Sequence, residues 1–211
     1  MPTTGSRRPG RPPAAKADET RKRILQAARE VFSERGYEGT TFQGVAQRAD
    51  LTRPAINHYF SSKRVLYREV VKQTNELVVA AGMERAQRET TMMGRLTAFI
   101  YNAMHVNIEN PATSAFMVTA VLESWRHPEL SLTENDLVPT SRDFLTWVVN
   151  DAIERGDVAP ETDAPALVET LLVLLCGTGF YAGYLRGSPK MEAVIEMLQK
   201  LLEGGLWRPG T

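Results

Sequence analysis

The chain has few of the residues on which enzymes and secreted proteins depend. Its 211 residues include a single cysteine, Cys176, and three histidines. One cysteine excludes an intrachain disulfide and a zinc site built from several cysteines. We find no glycine-rich phosphate loop and no recognisable nucleophile motif. The sequence therefore predicts neither an enzyme nor a protein that needs a metal or another cofactor.

Long hydrophobic segments are also lacking. We find no apolar run of the roughly 18 residues that a membrane-spanning helix needs. The first residues are basic, but no apolar segment follows them, which argues against a secretory signal. Hydrophobic residues make up 43% of the chain and charged residues 24%, an ordinary globular balance. We expect a cytoplasmic protein that has no membrane partner.

Charge is distributed unevenly, although the formal net charge is zero. Residues 1–72 contain 15 Lys and Arg against 7 Asp and Glu, a surplus of 8 positive charges. Residues 73–211 contain 10 basic and 18 acidic residues, an equal negative surplus. This asymmetry indicates that the N-terminal part meets a polyanion such as nucleic acid.

Residues 1–17 are rich in proline, glycine, arginine and alanine, and we predict a disordered basic tail. Within this tail, the segment from Arg7 to Pro13 permits two interpretations. It is either a linker with screened attraction to phosphates, or a hook whose arginine enters a DNA minor groove.

Residues 41–63 follow the pattern of a helix-turn-helix unit. Apolar spacing predicts a first helix from about Glu19 to Arg35, which ends at Gly36. Thr41 can cap a second helix, and Thr52 can cap a third helix that tolerates Pro54 in its first turn. A fourth helix starts at Ser61 or Ser62. The second helix of such a unit can enter the major groove of DNA.

The remainder of the chain carries helical periodicity near 92–109, 111–126, 133–156, 164–186 and 189–203. No strand pattern competes with it. We therefore predict an all-α fold of about nine helices. Its parts are the tail, a three-helix DNA-binding domain at 18–65, and a helical effector-binding and dimerisation domain at 66–211.

Several linked motifs occur in one order between residues 20 and 68. They are Arg23-Ile24-Leu25-Gln26-Ala27-Ala28, Val31-Phe32-Ser33-Glu34-Arg35-Gly36-Tyr37, Thr40-Thr41, Val45-Ala46-Gln47-Arg48-Ala49, Ile56-Asn57-His58-Tyr59-Phe60 and Lys63. Together they resemble the TetR family of bacterial transcriptional regulators. Asp50 and Asn57 depart from a glycine and a tyrosine that are common in that family. The rest of the chain is similar to the family only in length and helical character.

The resemblance implies a homodimer that binds a double-stranded DNA operator. It also implies that a small molecule bound in the C-terminal domain moves the recognition helices apart and releases the DNA. Repression is the common behaviour in the family and our default expectation. The operator, the effector and the regulated genes do not follow from the sequence.

Candidate DNA contacts divide into those that position the protein and those that read bases. Arg53 could pair with guanine, and Asn57 could bind an adenine edge in place of the family's phosphate-binding tyrosine. A phosphate contact for Arg53 and a solvated surface position for His58 are the other possibilities. The complete predicted set is Thr41, Thr52, Arg53, Pro54, Ala55, Asn57, His58, Tyr59 and Lys63.

Methionines and aromatic residues in the middle helices can either fill a core or line an adaptable apolar pocket. Tyr101 and His105 share a helix face and could orient a polar group of a ligand. The scarcity of charge among these positions favours an apolar or aromatic effector. The predicted ligand residues are Tyr101, Met104, His105, Phe116, Met117, Trp125, Phe144 and Trp147.

The last two helices are the expected dimer surface, because the first of them is apolar almost all round. Burial inside one subunit would produce the same pattern. The predicted interface residues are Leu167, Leu171, Leu174, Gly179, Phe180, Gly183, Tyr184, Ile195 and Leu198.

One other function fits the DNA-binding motif. The protein could be a DNA-binding regulator with no small-molecule effector, controlled by a protein partner or acting architecturally. Loss of operator binding on addition of a ligand would distinguish the two. Redox control through Cys176 is disfavoured because the residue lies in an apolar helix, where a thiol tends to be inert.

Overall fold

The computed structural model describes residues 13–130, 137–185 and 190–202. These residues form nine helices and no strand, in agreement with the predicted all-α fold. The fourth helix, α4, joins Lys63–Asn75, a π-helical turn Glu76–Ala80 and Ala81–Ala86 without interruption. The other helices are α1 (Pro13–Gly39), α2 (Phe42–Arg48), α3 (Arg53–Tyr59), α5 (Met92–Glu109), α6 (Ala112–Arg126), α7 (Leu137–Arg155), α8 (Ala164–Leu185) and α9 (Lys190–Leu202).

Helix α1 begins earlier than the apolar spacing predicts. It starts at Pro13 rather than near Glu19, so residues 13–17 are helical and not part of a disordered tail. Proline suits this start because the amides of a first helical turn have no intrahelical partner. The predicted stop is confirmed, since Gly36 has φ 68° and interrupts the helical geometry. Residues 7–12 of the predicted minor-groove hook lie outside the described residues.

The N-terminal helices enclose a hydrophobic core. Ile24, Phe32, Val45 and Ile56 are completely buried, and they come from α1, α2 and α3. Helix α1 also packs against α4 and α6, and α4 runs across the predicted domain boundary at residues 65 and 66. The DNA-binding helices are therefore tied to the rest of the subunit by α1 and α4.

The remaining helices form a second layer of packing. Helix α5 packs on the end of α4, while α8 lies against both α6 and α7. Phe99 of α5 stacks on Phe144 of α7 with ring centroids 4.8 Å apart. Leu145, Val148 and Val149 complete the buried face of α7.

The expectation that the chain has no apolar run long enough to span a membrane is wrong for helix α8. Residues Ala164–Leu185 are long and apolar enough, by length and composition, to cross a membrane, and 22% of the window is buried in the subunit. Glu169 is the only charged residue in this helix. A single helix of this kind is weak support for a membrane span, because core and interface helices share its composition.

Candidate DNA interface and ligand cavity

The recognition helix α3 is held by local capping and by two buried anchors. Asp50 takes φ 50° in the turn before it, a left-handed conformation that aspartate tolerates. The Thr52 hydroxyl accepts a hydrogen bond from the amide of Ala55 at 3.3 Å, as the sequence predicts. Ile56 and Phe60 are 0% and 2% exposed and fix the inner side of the helix. The opposite side is thereby presented to solvent.

The exposed side of α3 contains most of the predicted base-reading residues. Arg53, Asn57 and His58 are exposed, as are Thr52 and Pro54. Ala55 is half-buried. Neither Arg53 nor Asn57 forms a hydrogen bond or ion pair with any other described residue. Their donors are therefore available to a ligand outside the subunit.

Thr41 and Tyr59 flank this surface in different ways. The Thr41 hydroxyl caps α2 by accepting a hydrogen bond from the amide of Gly44 at 3.1 Å, and the residue is exposed. Tyr59 is half-buried against the core, and the centroid of its ring lies 5.3 Å from that of His58 in a T-shaped contact. Both positions are compatible with positioning contacts at the edge of the recognition helix.

Lys63 has an intrachain role that the sequence argument missed. Its ammonium group donates a hydrogen bond to the carbonyl of Tyr37 at 2.8 Å and lies 4.3 Å from the centroid of the Tyr37 ring. It also approaches Glu38 at 3.9 Å. Lys63 thus binds the end of α1 through a backbone carbonyl, an aromatic ring and a carboxylate. A phosphate contact by this residue stays a prediction.

Two arginines attach α1 to its neighbours. Arg48 of α2 forms ion pairs with Glu30 at 2.9 Å and Glu34 at 2.7 Å, and the hydrogen bonds that its guanidinium donates to Glu34 and Glu30 raise its pKa. Arg29 is 3% exposed and donates hydrogen bonds to Gln73 at 2.7 Å and Thr74 at 3.2 Å. Burial lowers the pKa of Arg29. These contacts restrain α2 and α4 relative to α1.

The end of α1 meets the end of α6 at a polar junction. A Cβ on Gly36 would lie 2.9 Å from a carboxylate oxygen of Glu123, which is itself buried. His127 lies 3.6 Å from Glu123 and 3.9 Å from Glu38, and its ring centroid is 5.6 Å from that of Tyr37. This junction joins the DNA-binding helices directly to α6.

Helix α6 also forms one wall of a cavity of about 310 Å³. Most side chains around the cavity are aliphatic, aromatic or methionine, with Ser114, Ser141, Thr178 and Cys176 as exceptions. The described lining residues are Val78, Val79, Phe99, Ile100, Ala103, Met104, Ser114, Met117, Val118, Val121, Leu122, Leu137, Val138, Ser141, Leu172, Leu175, Cys176, Thr178, Gly179, Phe180, Ala182 and Met191.

Two of the eight predicted ligand residues, Met104 and Met117, line this cavity. Three others are packed elsewhere and correct the prediction. Phe116 is completely buried, with its ring 6.3 Å from that of Phe32 at the junction with α1. Phe144 lies behind Phe99, and Trp147 packs against the Arg95 guanidinium at 4.2 Å.

Tyr101, His105 and Trp125 also lie away from the cavity. Tyr101 is 48% exposed and Trp125 is 84% exposed. His105 is exposed and approaches Glu109 at 3.4 Å. The shared face of Tyr101 and His105 was predicted correctly, but that face of α5 is turned outwards. Inner positions of α5 such as Ile100 and Ala103 line the cavity instead.

The predicted dimer-interface residues include both exposed residues and residues that are buried within one subunit. Phe180 and Tyr184 are 58% and 73% exposed, as an interface needs. Leu171 and Ile195 are 3% and 1% exposed, so the prediction is wrong for these two residues, which belong to the core of one subunit. The half-buried Leu167 and Leu174 pack on the main core, Leu198 is half-buried, and Gly179 lines the cavity.

Packing within the subunit explains why position 183 is a glycine. A Cβ at this position would lie 3.2 Å from backbone atoms of Ser114 and Ala115, so the glycine permits close approach of α8 to α6. On α8 and α9, the large exposed apolar residues that lie outside the predicted interface set are Val173, Tyr181, Val194, Met197, Leu201 and Leu202.

Within the described residues, no group of three or more His, Cys, Asp or Glu side chains is placed to hold a metal ion. Cys176 lies at the cavity wall, where burial raises the pKa of its thiol. A thiol with a raised pKa is a weak nucleophile at neutral pH.

Comparison with known proteins relates both halves of the chain to regulators. Residues 24–70 match the family model of bacterial regulatory proteins, tetR family. The transcriptional regulator UidR of Escherichia coli K12 is 24% identical over 161 residues, which cover 76% of this chain and 80% of UidR.

Solved structures extend the likeness to the whole fold. The TetR-family regulator PfmR from Thermus thermophilus has 27% identity and a TM-score of 0.72, covering 88% of this chain and 100% of PfmR. FadR from Bacillus subtilis, solved with stearoyl-CoA, has a TM-score of 0.72 at 18% identity, covering 88% of this chain and 99% of FadR.

Proposed function

Because the chain belongs to the TetR family and is a DNA-binding transcriptional regulator, we propose that it is a homodimeric cytoplasmic repressor released from its operator by an apolar small molecule. The observation that carries this proposal is the cavity on α6, the helix whose far end touches α1. A ligand that favours one position of α6 would act on the helices that bind DNA.

The proposed operator contacts come from the exposed side of α3. Arg53 and Asn57 extend from a helix anchored by Ile56 and have no competing hydrogen bonds among the described residues. Arginine pairs with guanine and asparagine with adenine through two hydrogen bonds each. Two such helices in a dimer would read half-sites about one helical turn apart in a pseudo-palindrome.

Release of DNA requires a ligand that binds one conformation better than the other. Met117 and Val121 of α6 line the cavity, while Glu123 of the same helix lies against Gly36 of α1. A shift of α6 that accommodates a ligand would change the packing at Gly36. Because the buried Glu123 carboxylate lies directly against Gly36, we expect this contact to transmit such a shift.

The exposed apolar side chains of α8 and α9 support the proposed dimer. Val173, Phe180 and Tyr184 on α8 are more than half exposed in one subunit, and Met197 on α9 is 48% exposed. Apolar surface of this extent is typical of a protein–protein interface. The proposed dimer would cover it and account for the apolar composition of α8.

The proposal is tested with the DNA that flanks the gene of this protein. A mobility shift at two salt concentrations should show saturable binding that resists nonspecific competitor, and apolar candidate effectors should reduce it. Val118→Trp, which fills the cavity, should bind the same DNA and no longer respond. Specific DNA binding that no candidate effector reduces would favour control by a protein partner. Binding that disappears equally on all DNAs as salt rises would contradict operator recognition at this site.

A further inference from the structure

The cavity wall contains a serine whose hydroxyl group has no hydrogen-bonding partner among the described residues. Ser114 lines the cavity and is 6% exposed, and it forms no hydrogen bond with any other described residue. By contrast, the Thr178 hydroxyl donates to the carbonyl of Leu174 at 2.7 Å, within its own helix. A hydroxyl on the wall of an apolar cavity is satisfied by whatever occupies the cavity, because a desolvated polar group without a hydrogen bond costs free energy. The Ser114 hydroxyl is therefore available to a molecule bound in the cavity.

The position of Ser114 is fixed by close packing between helices. Gly183 of α8 lies so near that an added Cβ would be 3.2 Å from the Ser114 backbone. Ser141 of α7 is a second hydroxyl on the wall that forms no hydrogen bond with a described residue. The cavity thus presents hydroxyl groups from α6 and α7 among surroundings that are otherwise almost entirely apolar.

No Asp, Glu, Lys or Arg occurs among the described residues that line the cavity. Arg142 follows Ser141 in the chain, and its charge acts on the nearby Cys176 thiol. Its guanidinium, however, donates a hydrogen bond to Glu169 at 2.6 Å. An anionic ligand would have to lose its hydration and compete with Glu169 for this arginine. A buried anion without a paired cation is strongly disfavoured.

We infer that the cavity binds an uncharged amphiphile, an apolar body with a hydroxyl or carbonyl group that hydrogen-bonds to Ser114. This inference rests on the proposed function, because it assigns a chemical class to the effector of the same cavity. A volume of about 310 Å³ lies at the lower end of the range of small-molecule sites and suits a compact ligand. The Ser114 hydroxyl can donate to a carbonyl or exchange hydrogen bonds with an alcohol.

The test uses the full-length protein and two probes that differ only in their head group, decan-1-ol and decanoate, at pH 7.5 by calorimetry. We expect decan-1-ol to bind at least about tenfold more tightly. Ser114→Ala should weaken the binding of decan-1-ol about three- to tenfold, because one neutral hydrogen bond is lost. Ser124→Ala is the matched control, since it makes the same change on α6 at a hydroxyl bonded to Val121 and outside the cavity.

Two cavity-filling variants, Val118→Trp and Ala103→Phe, separate this inference from the proposed function. If they abolish binding while Ser114→Ala binds like the wild type, the cavity is the ligand site and the role of the hydroxyl is refuted. If folded forms of both bind decan-1-ol like the wild type, the cavity is not the site and the proposed function fails with it. Equal or tighter binding of decanoate, or no binding of decan-1-ol by the wild type, overturns the inference.

Discussion

The DNA-binding helices and the cavity-bearing helices are both built from apolar α-helical faces, but they fill space differently. Between α1 and α3, Ile24, Val45 and Ile56 are completely buried, and Arg48 ties α2 to α1 through two carboxylates. Between α5 and α8, apolar side chains surround an open volume of about 310 Å³. Helices that read DNA bases need one fixed geometry, whereas helices that bind a ligand must be able to adjust. The two regions therefore differ in the open volume that the cavity-bearing helices keep beside their own buried residues, such as Leu145 and Val148.

The largest expected effect is a loss of unfolding free energy, which we compare for one leucine from each region. Leu25→Ala on α1 removes a side chain that is 1% exposed and should lower the free energy of unfolding by about 2–5 kcal/mol. Leu175→Ala acts at the half-buried cavity wall, where contacts are already missing, and should cost about 1 kcal/mol or less. Urea unfolding of both variants at one protein concentration measures the difference. Equal losses would contradict the contrast in packing.

A second prediction concerns DNA recognition by the rigid region. Arg53→Ala or Asn57→Ala should cost about 1–3 kcal/mol at the operator and little on random DNA, because the contacts that are lost are to base edges specific to the operator. Titrations of labelled operator and scrambled DNA measure both losses.

Arg88→Ala provides the control for Arg53. This arginine is exposed and forms an ion pair with Glu84 at 2.9 Å, beyond the recognition helix in the chain. Its replacement should leave operator affinity unchanged. If Arg53→Ala weakens both DNAs equally, the arginine contacts phosphate and does not read a base.

Two glycines of α8 distinguish close packing from open surface. Gly183→Ala should destabilise by about 1–3 kcal/mol, because its methyl group would crowd the backbone of Ser114 and Ala115. At Gly177 an added Cβ meets no atom within 4 Å, and Gly177→Ala should gain up to about 1 kcal/mol from helix propensity. Thermal unfolding of both variants is the measurement. A loss of dimer on Gly177→Ala would instead place this glycine in the subunit interface.

Local signals in the sequence were sufficient to predict where α2, α3 and α4 begin. Thr41, Thr52 and Ser62 cap helices through amides three residues ahead, so neighbouring residues alone determine these starts. The contacts of Arg48 were not predictable, because its partners lie 18 and 14 residues away on another helix.

The errors in the cavity-bearing region arise because the sequence does not say which face of a helix turns inward. Periodicity placed Tyr101 and His105 on one face of α5, but which face turns inward depends on the packing of α4, α6 and α7. Helix α8 is apolar on all sides, so composition could not separate the buried Leu171 from the exposed Phe180. The cavity arises from the spacing between helices, for which a single helix carries no signal.

The smallest predicted effect is a pH dependence in the cavity-bearing region. Asp151 of α7 accepts hydrogen bonds from Arg95, whose side chain is 4% exposed, and from Arg155. Desolvation would raise the pKa of Asp151, but the hydrogen bonds and charges of both arginines outweigh it and lower the pKa. A carboxylate with a lowered pKa contributes stability above its unfolded pKa of about 3.9, and this contribution is lost as the pH falls through the folded value.

Asp151→Asn removes this titration, so its unfolding free energy should vary less than that of the wild type between about pH 5 and pH 2. Asp143→Asn, an exposed aspartate of the same helix, is the control and should retain the wild-type slope. A slope unchanged by Asp151→Asn would show that the pairing with Arg95 persists in the unfolded ensemble or adds nothing to folding. A flattened slope with unchanged operator affinity would assign this acid-sensitive contact to the cavity-bearing region and leave the DNA-binding region independent of it.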